Sequence, residues 1–428
     1  MTMKKTLSDI ISRLEGYDPK ALPVEQALVF IRELVAPVTG IEQVSIRPAL
    51  GRILARDLIS PIDVPAHDNS AMDGYAFDGA QLGAAVLALK SVGTAWAGKP
   101  FDQRVGPGYC VRIMTGAVMP AGCDTVVPQE LCQVHDDRVT IPADAGLHAG
   151  DNRRLCGEDI ARSSAALKAG RTLRPADLGL IASLGIAEVS VRRRVRVAFF
   201  STGDEVRSIG DTLEAGQLYD SNRYTLYGML ARLGIDLIDM GVVRDDPHAL
   251  EEAFRRAAEN ADAIITSGGV SVGEADYTKQ IMAKLGDVAF WTIAMRPGRP
   301  MAFGQIQSGV RSAYLFGLPG NPVAVMVTFY HFVRAGLLRL GGSQDAPLPL
   351  MRAISLDAVR KKPGRTEYQR AILQRSSDGH TTVRLTGQQG SGVLRSMSEA
   401  NCFVVLHHAQ GSVAAGDAVD VMLFEGLA

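Results

Sequence analysis

Three absences narrow the sequence before any motif is weighed. Charge of one sign is absent: 45 basic against 46 acidic residues leave a formal net charge of −1, so no global field draws the chain towards nucleic acid or anionic lipid. Long apolar runs are absent, and the uninterrupted hydrophobic stretches read as far short of a bilayer span. The start, Met3-Lys4-Lys5-Thr6, has the charge of a signal n-region. Leu7, Ile10, Ile11 and Leu14 then follow with charges between them, which is an amphipathic helix and not an apolar h-region. Cysteine is sparse: Cys110, Cys123, Cys132, Cys156 and Cys402 are an odd number, scattered, with no CxxC pair. That argues against a disulfide framework or a structural zinc site, and a cytoplasmic location is expected. No Gly-Lys-Ser/Thr closes a Walker A loop, and no GxGxxG fingerprint is present. No Ser-His-Asp or Cys-His arrangement can be read from spacing, and His407-His408 has no spaced acidic or cysteine partner.

What is present is mixed and turn-rich. At 428 residues the chain is too long for one core, and 46% hydrophobic residues with 44 glycines fit an α/β protein of several domains. Pro23 opens a helix with Ala27, Leu28, Ile31, Leu34 and Val35 at helical spacing, ended by Pro37. From Asp68 to about Gly150 short strands alternate with Gly and Pro turns: Ala85–Leu89, Tyr109–Met114, Thr125–Pro128 and Arg138–Ile141. A second short helical stretch follows, with Arg174-Pro175-Ala176-Asp177 capping a helix through Ser183. The expected organisation is a helical N-terminal domain (1–58 and 150–190) interrupted by a β-rich insertion (59–149).

After Arg194 strands and helices alternate. Val195–Phe200, Ile235–Val243, Ala263–Ile265, Val288–Ala294 and Ala313–Phe316 read as strands. Asn222–Leu233, His248–Asn260 and Tyr277–Leu285 read as helices, and Asn321-Pro322 opens a long one to about Leu340. That pattern predicts a doubly wound parallel sheet over 191–343. Residues 344–428 carry short alternating strands, an Asp378-Gly379 hairpin signal and no convincing helix, as in a small β-barrel or sandwich.

In a doubly wound sheet, ligands bind beyond the carboxyl ends of the strands. One strand end opens into Ser267-Gly268-Gly269 and runs through Ser271, Gly273, Glu274 and Asp276 to a helix. Paired glycines and a helix N-terminus suit an anion, although an ordinary βα turn also uses such glycines. Two more strand ends carry Ser201-Thr202-Gly203-Asp204-Glu205 and Arg244-Asp245-Asp246, and another carries Gly317-Leu318-Pro319-Gly320-Asn321-Pro322. Any one acid there is more often a turn former or cap. Glu205, Asp245 and Asp276 together beside a glycine loop favour a Mg²⁺ site. Arg296-Pro297-Gly298-Arg299 is a stiff cationic loop suited to an oxyanion, with a solvated turn as the bland alternative.

In that order, DNSAMDGYA, RIMTGAVMPAGCDTVV, GEDI, STGDE, RDD, SGGVSVGEADYTK, LPGNPV, QRAIL and GQQGSG resemble the MoeA-type molybdopterin molybdenumtransferases, the family that includes the gephyrin E domain. The resemblance covers nearly the whole chain. It implies insertion of molybdate into adenylylated molybdopterin, with Mg²⁺-dependent cleavage of the adenylate and release of AMP. It also implies a four-domain subunit with a molybdopterin-binding α/β domain (191–343) and a C-terminal barrel (344–428), in a homodimer whose active site lies at the subunit interface. Contacts with a molybdopterin adenylyltransferase and with recipient molybdoenzymes would fit the same family, and neither nucleic acid nor membrane is expected as a partner.

Residue by residue, the resemblance places catalytic importance on Asp73, Thr115, Asp159, Glu205, Asp245 and Asp276. Substrate contacts would fall on Ser267, Gly268, Gly269, Ser271, Gly273, Pro319, Gly320, Pro322, Arg370 and Ser391, with Arg296 and Arg299 partners for molybdate. Mg²⁺ would fall to Asp245, Asp276 and Glu205. Some members have lysines where this chain has Thr292, Arg296 and Arg299, and Leu155 and Cys156 replace arginines often found before GEDI. Two other readings are a molybdopterin adenylyltransferase, which would consume ATP and need no molybdate, and a non-catalytic scaffold.

Overall fold

The computed structural model describes residues 6–12, 16–83, 85–270, 277–344, 347, 349–377 and 379–424. Leu14, Ser271, Gly273, Glu274, Asp276 and Asp378 lie outside them. In chain order, helices α1 (Leu7–Ile11) and α2 (Val24–Leu34) precede strands β1 (Gly74–Phe77), β2 (Leu87–Ala95) and β3 (Tyr109–Ile113). Next come β4 (Thr125–Pro128), β5 (Gln133–His135), β6 (Arg138–Ile141) and α3 (Pro175–Ser183). The alternating segment comprises β7 (Arg196–Thr202), α4 (Ser221–Arg232), β8 (Asp236–Val243), α5 (Pro247–Asn260), β9 (Ala263–Ser267) and α6 (Tyr277–Leu285). It continues with β10 (Gly286–Thr292), β11 (Met295–Arg296), β12 (Pro300–Ser308), β13 (Arg311–Leu318), α7 (Pro322–Thr328) and α8 (Arg334–Gly341). The C-terminal part holds β14 (Met351–Ser355), β15 (Thr366–Arg375), β16 (Thr381–Leu385), α9 (Leu394–Glu399), β17 (Cys402–Leu406) and β18 (Ala418–Leu423). The chain divides into two compact units: one of residues 1–55, 170–174 and 190–428, the other of 56–169 and 175–189.

The first unit is built on a six-stranded sheet in the order β8-β7-β9-β13-β12-β10. β7, β8, β9 and β13 are parallel, whereas β12 runs antiparallel to both β13 and β10. The expected all-parallel sheet is therefore corrected to a mixed one. The missed strand is β12, whose pattern is obscured by Pro300 at its start and Gly304 within it. Gly304 is needed for packing, because a Cβ there would lie 2.1 Å from the Asp287 carbonyl oxygen.

Successive side chains of a strand point to opposite faces, and this divides the core in two. Val197, Phe199 and Ile265 pack with Phe30 and Ile31 of α2, Leu226 and Leu230 of α4, and Val323 of α7. Ala198, Phe200 and Ile264 pack on the other face with Leu250 and Phe254 of α5 and Met282 of α6. Both faces are covered by helices, so the central strands read as apolar runs and not as alternating ones. The long helix after Asn321 is broken into α7 and α8 by a π-helical turn at Phe329–Val333. Asn321 occupies the N-cap position, but its side chain makes no capping bond. The run Pro322–Gly341, interrupted by His331, Arg334 and Arg339, has the length and mean apolarity of a membrane span and is largely buried in the core of this unit.

Five strands at the C-terminus close into a barrel in the order β15-β16-β14-β18-β17, with β17 pairing back onto β15. The helix α9, which the sequence reading omitted, sits between β16 and β17. β11 adds in parallel to the start of β15, pairing Met295 with Thr366 and Arg296 with Glu367.

The second unit holds a six-stranded sheet in the order β4-β1-β3-β2-β6-β5. Its strand β1, hidden inside the motif DNSAMDGYA, is wholly buried and pairs antiparallel with β3 and β4. Gly74 permits that pairing, since a Cβ would lie 1.9 Å from the Val127 carbonyl oxygen. β2 extends to Ala95, further than the Ala85–Leu89 expected, through polar residues that hid its outer half.

Candidate active site

The strand ends of the first unit surround a cleft of about 940 Å³. β7 delivers Ser201, Thr202, Gly203 and Glu205; β8 leads to Asp245; β9 delivers Ser267, Gly268 and Gly269. β13 leads to Pro319, Gly320, Asn321 and Pro322. Arg296 at the end of β11 and Arg299 just before β12 line the same cleft, with Gln389 and Ser391 from the barrel. Glu205, Asp245, Ser267, Gly268, Gly269, Arg296, Arg299, Pro319, Gly320, Pro322 and Ser391 are thus brought together. Asp276, Ser271 and Gly273 fall outside the described residues.

Backbone packing explains the glycines. Gly268 has φ +95°, and a Cβ on it would lie 2.4 Å from the Thr202 carbonyl oxygen. Its amide donates to the Leu318 carbonyl at 3.1 Å, joining the β9 and β13 ends. Gly269 has φ +67°, and its Cβ would meet the Thr278 hydroxyl at 2.5 Å. The left-handed region and the close approach exclude other residues at both positions. From α4, Asn222 Nδ2 donates to the Gly320 carbonyl at 2.7 Å and holds the proline-glycine turn.

Neighbouring acids separate by role. Asp246 caps α5, accepting from the His248 and Ala249 amides at 3.1 and 2.9 Å, the common use of an acid after a strand. Asp245 lines the cleft instead. Two cleft carboxylates, Glu205 and Asp245, suit Mg²⁺, which takes one or two carboxylates and fills its remaining positions with water and substrate phosphate. Among the described residues no group of three or more His, Cys, Asp or Glu side chains gathers as a metal cage.

Arg370 differs from its expected role as a substrate contact. It is fully buried and is not among the cleft-lining residues. Nη2 donates to the Gln388 and Gly390 carbonyls at 2.9 and 3.0 Å, Nη1 to the Gln389 carbonyl at 3.3 Å, and Nε to Ser396 Oγ at 2.7 Å. Burial, aided by the charge of Arg296, pulls its pKa down to about 10, which leaves it cationic at neutral pH. Its main-chain N–H donates to Gln389 Oε1, so β15 clamps the loop that presents Gln389 and Ser391. Through β11 the same strand also anchors Arg296. Arg370→Met is expected to leave those carbonyls unpaired, at about 3–5 kcal/mol. Urea denaturation should show the loss, and KM should rise more than kcat falls.

In the second unit, Thr115 donates to Asp73 Oδ1 twice, from its amide at 2.6 Å and its hydroxyl at 2.8 Å. These two bonds hold the Asp73 carboxyl below its usual value of 3.8. Because the folded pKa is depressed, the anionic clamp is complete above the ordinary carboxylate range and is lost as pH falls through the lowered value. Carboxyl-carbon NMR should place the midpoint below 3.8, and Thr115→Val, keeping only the amide bond, should raise it. Asp159 is exposed, and its amide donates to the Val64 carbonyl at 3.0 Å.

Sequence reasoning missed Asp220, Asn222 and Gln389 in the cleft. Asp220 lies in Tyr219-Asp220-Ser221-Asn222, where a helix start placed one residue late concealed the cap. Gln389 lies in GQQGSG, but only Ser391 of that motif is expected to touch substrate, because Gln389 reaches the cleft through the hold of β15 on its loop.

Three family models match: the MoeA N-terminal region (domain I and II) over residues 22–185, a probable molybdopterin binding domain over 198–339, and the MoeA C-terminal region (domain IV) over 352–424. A curated relative from Haemophilus influenzae, named molybdopterin molybdenumtransferase, is 40% identical over 95% of this chain and 99% of its own length. One of the same name from Nostoc is 36% identical over 89% of this chain and 88% of its own. The crystal structure of the molybdopterin biosynthesis moeA protein from Pyrococcus horikoshii superposes with a TM-score of 0.80 at 25% identity, covering 95% of this chain and all of that one. With its fold, its motifs and relatives matched along nearly its full length, the chain belongs to the MoeA family.

Proposed function

We propose that this protein is a molybdopterin molybdenumtransferase, which inserts molybdate into adenylylated molybdopterin and releases AMP. The observation that carries the reading is one cleft in which a glycine turn, the three carboxylates Glu205, Asp220 and Asp245, and two arginines meet. Each part has a use. The Gly268-Gly269 turn lets the backbone approach the phosphates of the adenylylated substrate closely, with the Gly269 N–H as donor, since that of Gly268 is given to the Leu318 carbonyl. Arg296 and Arg299 offer forked donors to a tetrahedral oxyanion such as molybdate. Glu205 and Asp245 would hold Mg²⁺, with Asp276 a third candidate; Mg²⁺, when bound, polarises a phosphoanhydride. One of these carboxylates orients the attacking oxygen.

The names and family of the relatives support the transferase reading over a scaffold, as do the carboxylates retained beside the glycine turn. A cytoplasmic homodimer, with Asp73, Thr115 and Asp159 in catalytic roles, is part of the same proposal, and sedimentation in solution tests the dimer. The activity test supplies adenylylated molybdopterin, Mg²⁺ and micromolar molybdate. AMP release together with molybdenum incorporation supports the transferase. Adenylylation of molybdopterin from ATP without molybdate would replace it with an adenylyltransferase, and no turnover in either assay would favour a scaffold.

A further inference from the structure

The cleft contains one buried carboxylate outside the set assigned to metal or phosphate. Asp220 is 3% exposed and lines the cleft at the start of α4. Its Oδ1 accepts from the Arg223 amide and from Ser201 Oγ, both at 3.0 Å. Ser201 Oγ in turn lies 2.9 Å from Ser267 Oγ, on the strand that opens into Gly268. Oδ2 is buried and has no hydrogen-bond partner in the structure. A buried carboxylate oxygen without a donor is costly, and such an atom in a binding cleft points to a donor that arrives with the ligand.

The surroundings decide which donor. Phosphate oxygens carry no proton at neutral pH and would repel a carboxylate, so Oδ2 does not face the phosphates. A divalent ion is the lesser candidate, because the hydrogen-bond partners that fix Asp220 are a neutral hydroxyl, that of Ser201, and the Arg223 main-chain amide. A sugar hydroxyl is a neutral donor, and a single acidic side chain taking a ribose hydroxyl is an established solution in nucleotide-binding α/β sheets. We infer that Asp220 reads the ribose of the adenylate, accepting from its 2′- or 3′-hydroxyl through Oδ2, while Oδ1 keeps the helix cap and the serine relay. This makes Asp220 a specificity-determining residue, and the inference rests on the adenylate reading of the cleft.

The test is calorimetric titration of the full chain with AMP, 2′-deoxy-AMP and 3′-deoxy-AMP. The unsubstituted protein should bind one of the deoxynucleotides about ten-fold more weakly than AMP. Asp220→Asn keeps the Oδ1 cap and replaces the free acceptor with a donor. Asp220→Ser keeps a capping oxygen and removes the second oxygen altogether. Both variants should bind AMP about as weakly as the unsubstituted protein binds the disfavoured deoxynucleotide, with the ribo/deoxy ratio collapsing towards one. A ratio preserved in both variants, or equal weakening of all three nucleotides, would overturn the assignment. So would a change confined to the Mg²⁺ dependence of binding, which would make Asp220 a metal ligand. Failure of the unsubstituted protein to bind AMP at all would remove the adenylate reading itself, a result separable from failure of the Asp220 assignment.

Discussion

Asp245→Asn is expected to lower Mg²⁺-dependent AMP release by about 10²–10³-fold while leaving the fold intact, because an amide has the shape of the carboxylate without its charge. Asp245 follows β8 and lines the cleft, and the next residue already caps α5 through its side chain. Removing the charge at Asp245 therefore costs no cap. The neighbouring substitution Asp246→Asn is the matched control: asparagine caps a helix about as well as aspartate, so turnover should stay near that of the unsubstituted protein. The measurement is single-turnover AMP release at saturating Mg²⁺. An unchanged rate for Asp245→Asn would remove this residue from the chemistry.

Gly268→Ala is expected to be as damaging by a different route. The added methyl forces a left-handed φ of +95° on a residue with a side chain, and it lands 2.4 Å from the Thr202 carbonyl oxygen. Backbone cannot rotate away as a flexible side chain can, so the β7 and β9 ends must separate. A displacement of about 1 Å at a reacting centre is worth roughly 100-fold in rate. Gly210→Ala separates strain from collision. Gly210 has φ +96° but nothing within 4 Å of an added Cβ, so it should lose stability of about 1–2 kcal/mol and little activity. Steady-state turnover and urea denaturation on both variants check the contrast. Equal losses of activity would mean that strain alone, and not the closing of the strand ends, explains the Gly268 effect.

The sequence exposed those features whose cause is local. Apolar runs such as Val197–Phe200 and Ala263–Ile265 announce strands buried on both faces, and the structure places their residues alternately in the two cores. The Gly268-Gly269 turn, Glu205, Asp245 and Arg296-Pro297-Gly298-Arg299 could be named because each follows a recognisable strand end.

What stayed hidden depends on distant partners. β12 is strand because β13 and β10 flank it, although Pro300 and Gly304 break its pattern. β1 looks like a turn in DNSAMDGYA and becomes a central strand only because β3 and β4 enclose it. Arginine is a residue of surfaces and ligand contacts, so the complete burial of Arg370 among loop carbonyls could not be anticipated from its type. Asp220 was concealed for the opposite reason: its local role as a helix cap is real, and the orphaned second oxygen is visible only in three dimensions.

If the strand ends of the mixed sheet form one pocket for the adenylylated substrate, a crystal structure of the protein with AMP and Mg²⁺ shows it most directly. The phosphate should lie within hydrogen-bonding distance of the Gly269 amide, with the metal bound on the side of Glu205 and Asp245. A well-ordered nucleotide bound elsewhere, with these strand ends holding only solvent, would contradict it.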